Sequence, residues 1–170
     1  MKQKRNIKIP VYKFSDMNEI LKIIKSIQNV EDFDKKTRFY LVVLGYRSID
    51  IQNFKLQDAE ELIKNENVPK KIRQAVVDSL ERRKISIESN NLKNDLDYLF
   101  VNSENKHIHD CILLREWREF IKSVGLEDVN IHVFKQSISY MKYLEKYKHL
   151  EMSYTNIRHS FAESEEKYVK

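Results

Sequence analysis

The sequence predicts a mainly α fold with a small, shortened β-sheet. Three observations carry that expectation. The 170 residues include only two glycines and two prolines, too few for the tight turns of a sandwich or barrel. Apolar residues recur at steps of three and four through several long stretches, the spacing of one helix face. Strand character is confined to short runs, of which Tyr98-Leu99-Phe100-Val101 is the clearest. The length suits one core-bearing domain, expected over residues 14–170 behind a basic arm at 1–13.

The elements follow in order. Ser15 and Asp16 are N-cap residues for a first helix, whose expected buried face is Met17, Ile20, Leu21, Ile24 and Ile27. A second helix is expected over Asp34–Leu44, burying Phe39, Leu41, Val42 and Val43, and Gly45 follows it. Ile49–Phe54 reads as a further short helix, and Gln57, Asp58 and Ala59 as a turn with one short strand. Pro69 is placed to open a helix running to about Arg83, with Ile72, Val76, Val77 and Leu80 inside. The polar stretch Glu88–Asp95 reads as a loop. His109 or Asp110 caps a helix that buries Leu113, Leu114, Trp117, Phe120 and Ile121 and ends at Gly125. Helical patterns close the chain at Phe134–Tyr147 and Ser153–Ile157.

Charge and cysteine content narrow the function classes. Lys and Arg number 31 against 26 Asp and Glu, a net charge of +5 that favours an anionic partner such as nucleic acid. The arm Met1–Pro10 is basic and reads either as a phosphate-contacting tail or as an ordinary solvated one. A single cysteine, Cys111, excludes an internal disulfide and a thiolate metal cluster, and its apolar neighbours suggest a small core residue. His107 and His109 have a spacing that can hold zinc, but no Cys or carboxylate cluster joins them, so they read as surface residues. Tyr140, Tyr143 and Tyr147 follow helical spacing and are expected in the core or at its rim. No signal-peptide pattern opens the chain and no apolar run is long enough to span a bilayer, so a cytoplasmic protein with no membrane partner is expected.

Three segments carry candidate chemistry. The first is Gly45-Tyr46-Arg47-Ser48-Ile49-Asp50-Ile51, continued by Phe54-Lys55-Leu56-Gln57-Asp58. The second is His132-Val133-Phe134-Lys135, preceded by Val124-Gly125-Leu126. The third runs from Ile157-Arg158-His159 to Tyr168, nine positions after the histidine. In this order the segments resemble the active-site segments of tyrosine recombinases, the phage-integrase family that cuts and rejoins DNA. The resemblance extends over roughly residues 14 to 170.

That resemblance implies a tyrosine-recombinase catalytic-domain-like fold and a double-stranded DNA partner, with other recombinase subunits as further partners. It implies catalytic roles for Arg47, His132, Lys135, His159 and Tyr168. Arg47, Lys135, His132 and His159 would hold the scissile phosphate, and the Tyr168 oxygen would attack phosphorus. A guanidinium suits the clamp because its fork gives two parallel N–H bonds to phosphate oxygens. A phenol of ordinary pKa near 10 attacks only with help in losing its proton. No metal or cofactor is implied, since the clamp itself supplies positive charge.

Several residues depart from the family pattern. Lys135 stands where the family has arginine, keeping the charge but losing the planar two-pronged contact. Loss of one such donor typically costs on the order of 3 kcal/mol of barrier. Glu163, Glu165 and Glu166 lie between His159 and Tyr168, where they would repel DNA. Only ten residues separate Asp58 from Pro69, too few for the family's lysine-bearing hairpin, and Lys64 is the stand-in. Two other readings fit the same residues: a catalytically degenerate recombinase fold that binds DNA or a partner recombinase, and a helical protein-interaction domain.

Overall fold

The computed structural model describes residues 16–90 and 97–146, with side chains through Ser89 and from Asp97 to Tyr140. The fold is mainly helical. The helices are α1 (Met17–Ile27), α2 (Phe33–Leu44), α3 (Ser48–Gln52), α4 (Leu56–Lys64), α5 (Lys70–Asn90), α6 (Asp110–Ser123) and α7 (Ile131–Lys146). Two compact units divide the chain at 137/138, and the described part of the second is residues 138–146 alone. The architecture below concerns the first unit.

Local chemistry sets the helix ends. The Asp16 carboxylate accepts from the Glu19 N–H at 2.8 Å and the Asp32 carboxylate from the Lys35 N–H at 2.7 Å, each satisfying an otherwise orphaned donor of a first turn. Helix α2 stops at Gly45, whose φ of 99° is open to glycine at little steric expense. Gly45 N–H then donates to Val42 O and Tyr46 N–H to Leu41 O, a Schellman closure. Gly125, at φ 74°, lets the chain close behind α6 in the same way, with Leu126 N–H donating to Ile121 O.

Helix α2 is the hub, packing against α1, α3, α5 and α6. Its apolar residues Phe39, Leu41 and Val42 are fully buried. Phe39 meets Trp117 edge-on at 5.3 Å and Phe120 at 4.9 Å between ring centroids, and Trp117 meets Phe134 at 5.0 Å. The indole N–H of Trp117 donates to Val129 O at 2.9 Å, so this large ring is buried without an orphaned donor. Between α2 and α5 the Thr37 hydroxyl contacts Ala75 O at 2.8 Å and the Ser79 hydroxyl at 2.9 Å.

Two arginines are buried among the described residues, each held by hydrogen bonds. Arg38 forms a two-pronged pair with Glu116 at 2.7 Å, the side chains 8% and 17% exposed, and stacks 5.4 Å from the centre of the Phe100 ring. Arg83 donates to Tyr98 O at 3.0 Å and to Asn105 Oδ1 at 2.9 Å, fastening α5 to the segment that follows it.

The structure corrects several expectations. The shortened sheet is reduced to two isolated antiparallel bridges among the described residues, Lys55 with Tyr98 and Val101 with His107. Where a turn and strand were expected at 57–59, helix α4 begins, because the Asp58 carboxylate accepts from the Lys55 N–H at 2.8 Å and starts a helix. Helix α1 buries Ile20, Ile23 and Ile27 and leaves Met17 and Leu21 exposed. Cys111 and Leu114 are exposed because Leu113, Trp117, Phe120 and Ile121 define the buried side of α6. Helix α5 continues to Asn90, through the first residues of the expected loop. The basic arm at 1–13 and the helix expected at Ser153–Ile157 lie outside the described residues.

Candidate functional site

The site is built where α2 hands over to α3. Gly45 turns the chain, Tyr46 packs edge-on against the buried Phe54 at 5.5 Å, and Arg47 is the residue that precedes α3. Tyr46 is the anchor that leaves its neighbour facing solvent. The Arg47 side chain is 75% exposed.

Its direction is fixed by Asp50. Arg47 Nε donates to Asp50 Oδ2 at 2.9 Å and Nη2 to Oδ1 at 3.2 Å, while the Arg47 backbone N–H donates to Oδ2 at 3.1 Å. One carboxylate thus caps the short helix and orients the guanidinium. It occupies the Nε side of the fork. The Nη1 end forms no hydrogen bond or ion pair among the described residues, which leaves an outward pair of donors for an anion.

Lys135 is near enough for its charge to act on Asp50, without an ion pair between them. The Asp50 carboxyl is held below its usual range first by the Arg47 hydrogen bonds and then by charge, with Lys135 among the contributing cations. The Arg47 guanidinium is in turn pushed up by its hydrogen bonds and charge pairing with Asp50. The cations are not alone. Burial raises the Tyr46 phenol, and the negative charges of Asp58 and Asp50 raise it further. The locus therefore mixes two cations with two carboxylates, and attraction for an anion there depends on directed donors more than on net charge.

The remaining expected residues divide into two groups. His132 lies exposed in the first turn of α7, one turn before Lys135, and no hydrogen bond or ion pair joins it to Arg47, Asp50 or Lys135. Lys64 ends α4 as an exposed residue. His159 and Tyr168 lie outside the described residues. Asp50 is the orienting residue that sequence reasoning passed over, although an acid three residues after a helix-opening arginine is a legible capping signal. His107 stacks on Tyr98 at 4.9 Å and His109 pairs with Asp110 at 2.8 Å. No group of three metal-ligating side chains occurs among the described residues. No described helix is long and apolar enough to cross a membrane.

No protein-family model and no curated protein matches this chain. Among solved structures, the crystal structure of XerA recombinase matches with a TM-score of 0.55 at 20% identity, over 81% of this chain and 50% of that one. The chain has a recombinase-like fold. It spans half the length of that recombinase, and at this identity the match speaks for the fold alone. The recombinase-like fold agrees with the mainly helical architecture expected from the sequence.

Proposed function

We propose that this chain is a DNA-binding protein of the tyrosine recombinase family that grips a backbone phosphodiester with Arg47 and Lys135. The observation that carries the reading is the aimed guanidinium. Asp50 holds Arg47 by its Nε side and the outward end of the fork remains open, while the charge of Lys135, far away in sequence, is felt at Asp50 without an ion pair. A phosphate oxygen pair meeting that end would receive two parallel N–H bonds, with Lys135 supplying a point charge beside them. In the full form of this reading, His132 and His159 add donors and the Tyr168 oxygen attacks phosphorus, displacing a DNA hydroxyl.

A second reading keeps the binding and drops the chemistry, and two features favour it. Lys135 offers no planar fork, and Asp50 and Asp58 place negative charge near the position where a phosphate would lie. Such a protein would bind DNA, or a partner recombinase on DNA, in a regulatory role.

Two measurements separate these readings. Duplex DNA affinity should fall steeply with salt, and Arg47→Gln should lower the slope of log affinity against log salt by about 1. A salt-independent affinity, or none, removes DNA binding. A nicked suicide substrate should trap a covalent adduct that Tyr168→Phe abolishes. Binding without any adduct leaves the regulatory reading in place.

A further inference from the structure

Helix α1 carries more apolar surface than the described fold covers. At about 100° per residue, Ile20, Ile23 and Ile27 fall within an arc of about 60°, and all three are fully buried. Met17, Leu21 and Ile24 continue the same apolar face around the helix, to about 160° in all. Yet Met17 is 52% exposed, Leu21 is 44% exposed and Ile24 is only half-buried. A surface helix ordinarily keeps its apolar arc against the core and turns polar residues to water. Beyond Leu21 the arc gives way to Asn18, Lys22 and Lys25, all exposed as that rule requires. The stripe at positions 17, 21 and 24 is therefore an unpartnered face, about 10 Å long at 1.5 Å of rise per residue.

The chain supplies a segment that fits it. Immediately before the helix runs Ile7-Lys8-Ile9-Pro10-Val11-Tyr12-Lys13-Phe14. Ile7, Ile9 and Val11 take every second position, the pattern of an extended chain with one apolar side. Pro10 opposes a helix through this stretch and biases the residue before it towards an extended backbone. From Ile7 to Val11 an extended chain covers about 13 Å, which matches the stripe. Residues 12–16 then suffice to reverse direction into α1, and so short a tether gives an effective concentration on the order of millimolar. A separate molecule in dilute solution would compete poorly with that.

We propose that residues 7–11 form an extended strap over the exposed stripe of α1, with Val11, Ile9 and Ile7 set against Met17, Leu21 and Ile24. Lys2, Lys4 and Arg5 lie beyond the strap, so the apolar body and the cationic tip of the arm have different roles. The inference is independent of the Arg47 locus and survives if that site binds no DNA.

The test uses the full chain with labelled Ile, Leu, Val and Met methyl groups. Nuclear Overhauser contacts are expected between the methyls of Ile9 and Val11 and those of Leu21 and Met17. Contacts to Leu21 that arise only between differently labelled chains would assign the stripe to a second copy and overturn the strap. Contacts from residues 147–170 in its place, or no contacts, would overturn it too. A double-mutant cycle gives an independent readout. Leu21→Asp should lower the urea midpoint of the otherwise wild-type chain and leave that of Ile9→Asp/Val11→Asp unchanged, since the cover is already lost there. An equal loss in both backgrounds, or none in either, marks Leu21 as an ordinary surface residue and removes the proposal.

Discussion

Two arginine–carboxylate pairs among the described residues share nearly the same geometry and sit in opposite environments. Arg38 and Glu116 are separated by 78 residues, join α2 to α6, and sit almost wholly out of water against Phe100. Arg47 and Asp50 are three residues apart, cap one short helix, and lie at the surface with the arginine 75% exposed. Both carboxylates take Nε and Nη2 of their guanidinium. Burial separates them. A buried charge must be answered by the protein at all times, whereas an exposed and oriented one can turn its unused edge to a ligand. Environment, more than the pairing itself, marks which arginine is structural and which is available.

The contrast is easiest to break at the buried pair. Glu116→Ala strands the Arg38 guanidinium inside the protein and should cost about 3 kcal/mol of stability, read from urea unfolding. A loss near zero would show that water reaches Arg38 and that the two pairs differ less than their exposure suggests. Arg47→Gln supplies the opposite arm. Its urea midpoint should stay at the wild-type value, since exposed ion pairs contribute little to folding, while the DNA affinity proposed for this site falls.

A smaller effect sharpens the comparison through pH. Burial raises the Asp34 carboxyl above its ordinary value of 3.8, with partial relief from its hydrogen bond to Ser79 and from Arg38. A carboxyl raised in the folded state lowers stability as pH climbs from that ordinary value through the folded one. Asp50 behaves in the opposite sense: its stabilisation is present above the ordinary carboxylate range and disappears as pH falls through its lowered value. Urea midpoints measured against pH should therefore flatten in opposite directions in Asp34→Asn and Asp50→Asn, with the exposed Asp50 giving the weaker change.

Much of the helical plan was readable from the chain, and the exceptions have physical causes. Helix α2 and its closing glycine followed from the apolar run Phe39–Leu44 and from Gly45, because both signals are local. Helix α4 was missed because Gln57-Asp58-Ala59 favours a turn in isolation, and the capping bond from Lys55 N–H decides for helix. Ile23 was overlooked in favour of Met17 and Leu21 because all three are apolar, and only packing on neighbouring helices selects the face. Arg38 and Glu116 gave no signal, since their partnership exists only after α2 and α6 meet. In the candidate site, Arg47 and Lys135 were named from motif spacing alone, whereas the hold of Asp50 on the Arg47 guanidinium needed coordinates.

One glycine allows aim to be separated from charge. A methyl group at Gly45 would meet nothing within 4 Å, so a side chain there is opposed by its left-handed backbone alone. Gly45→Ala would therefore act as a swivel two residues before the guanidinium, altering where Arg47 points while every ionisable group in the protein stays the same.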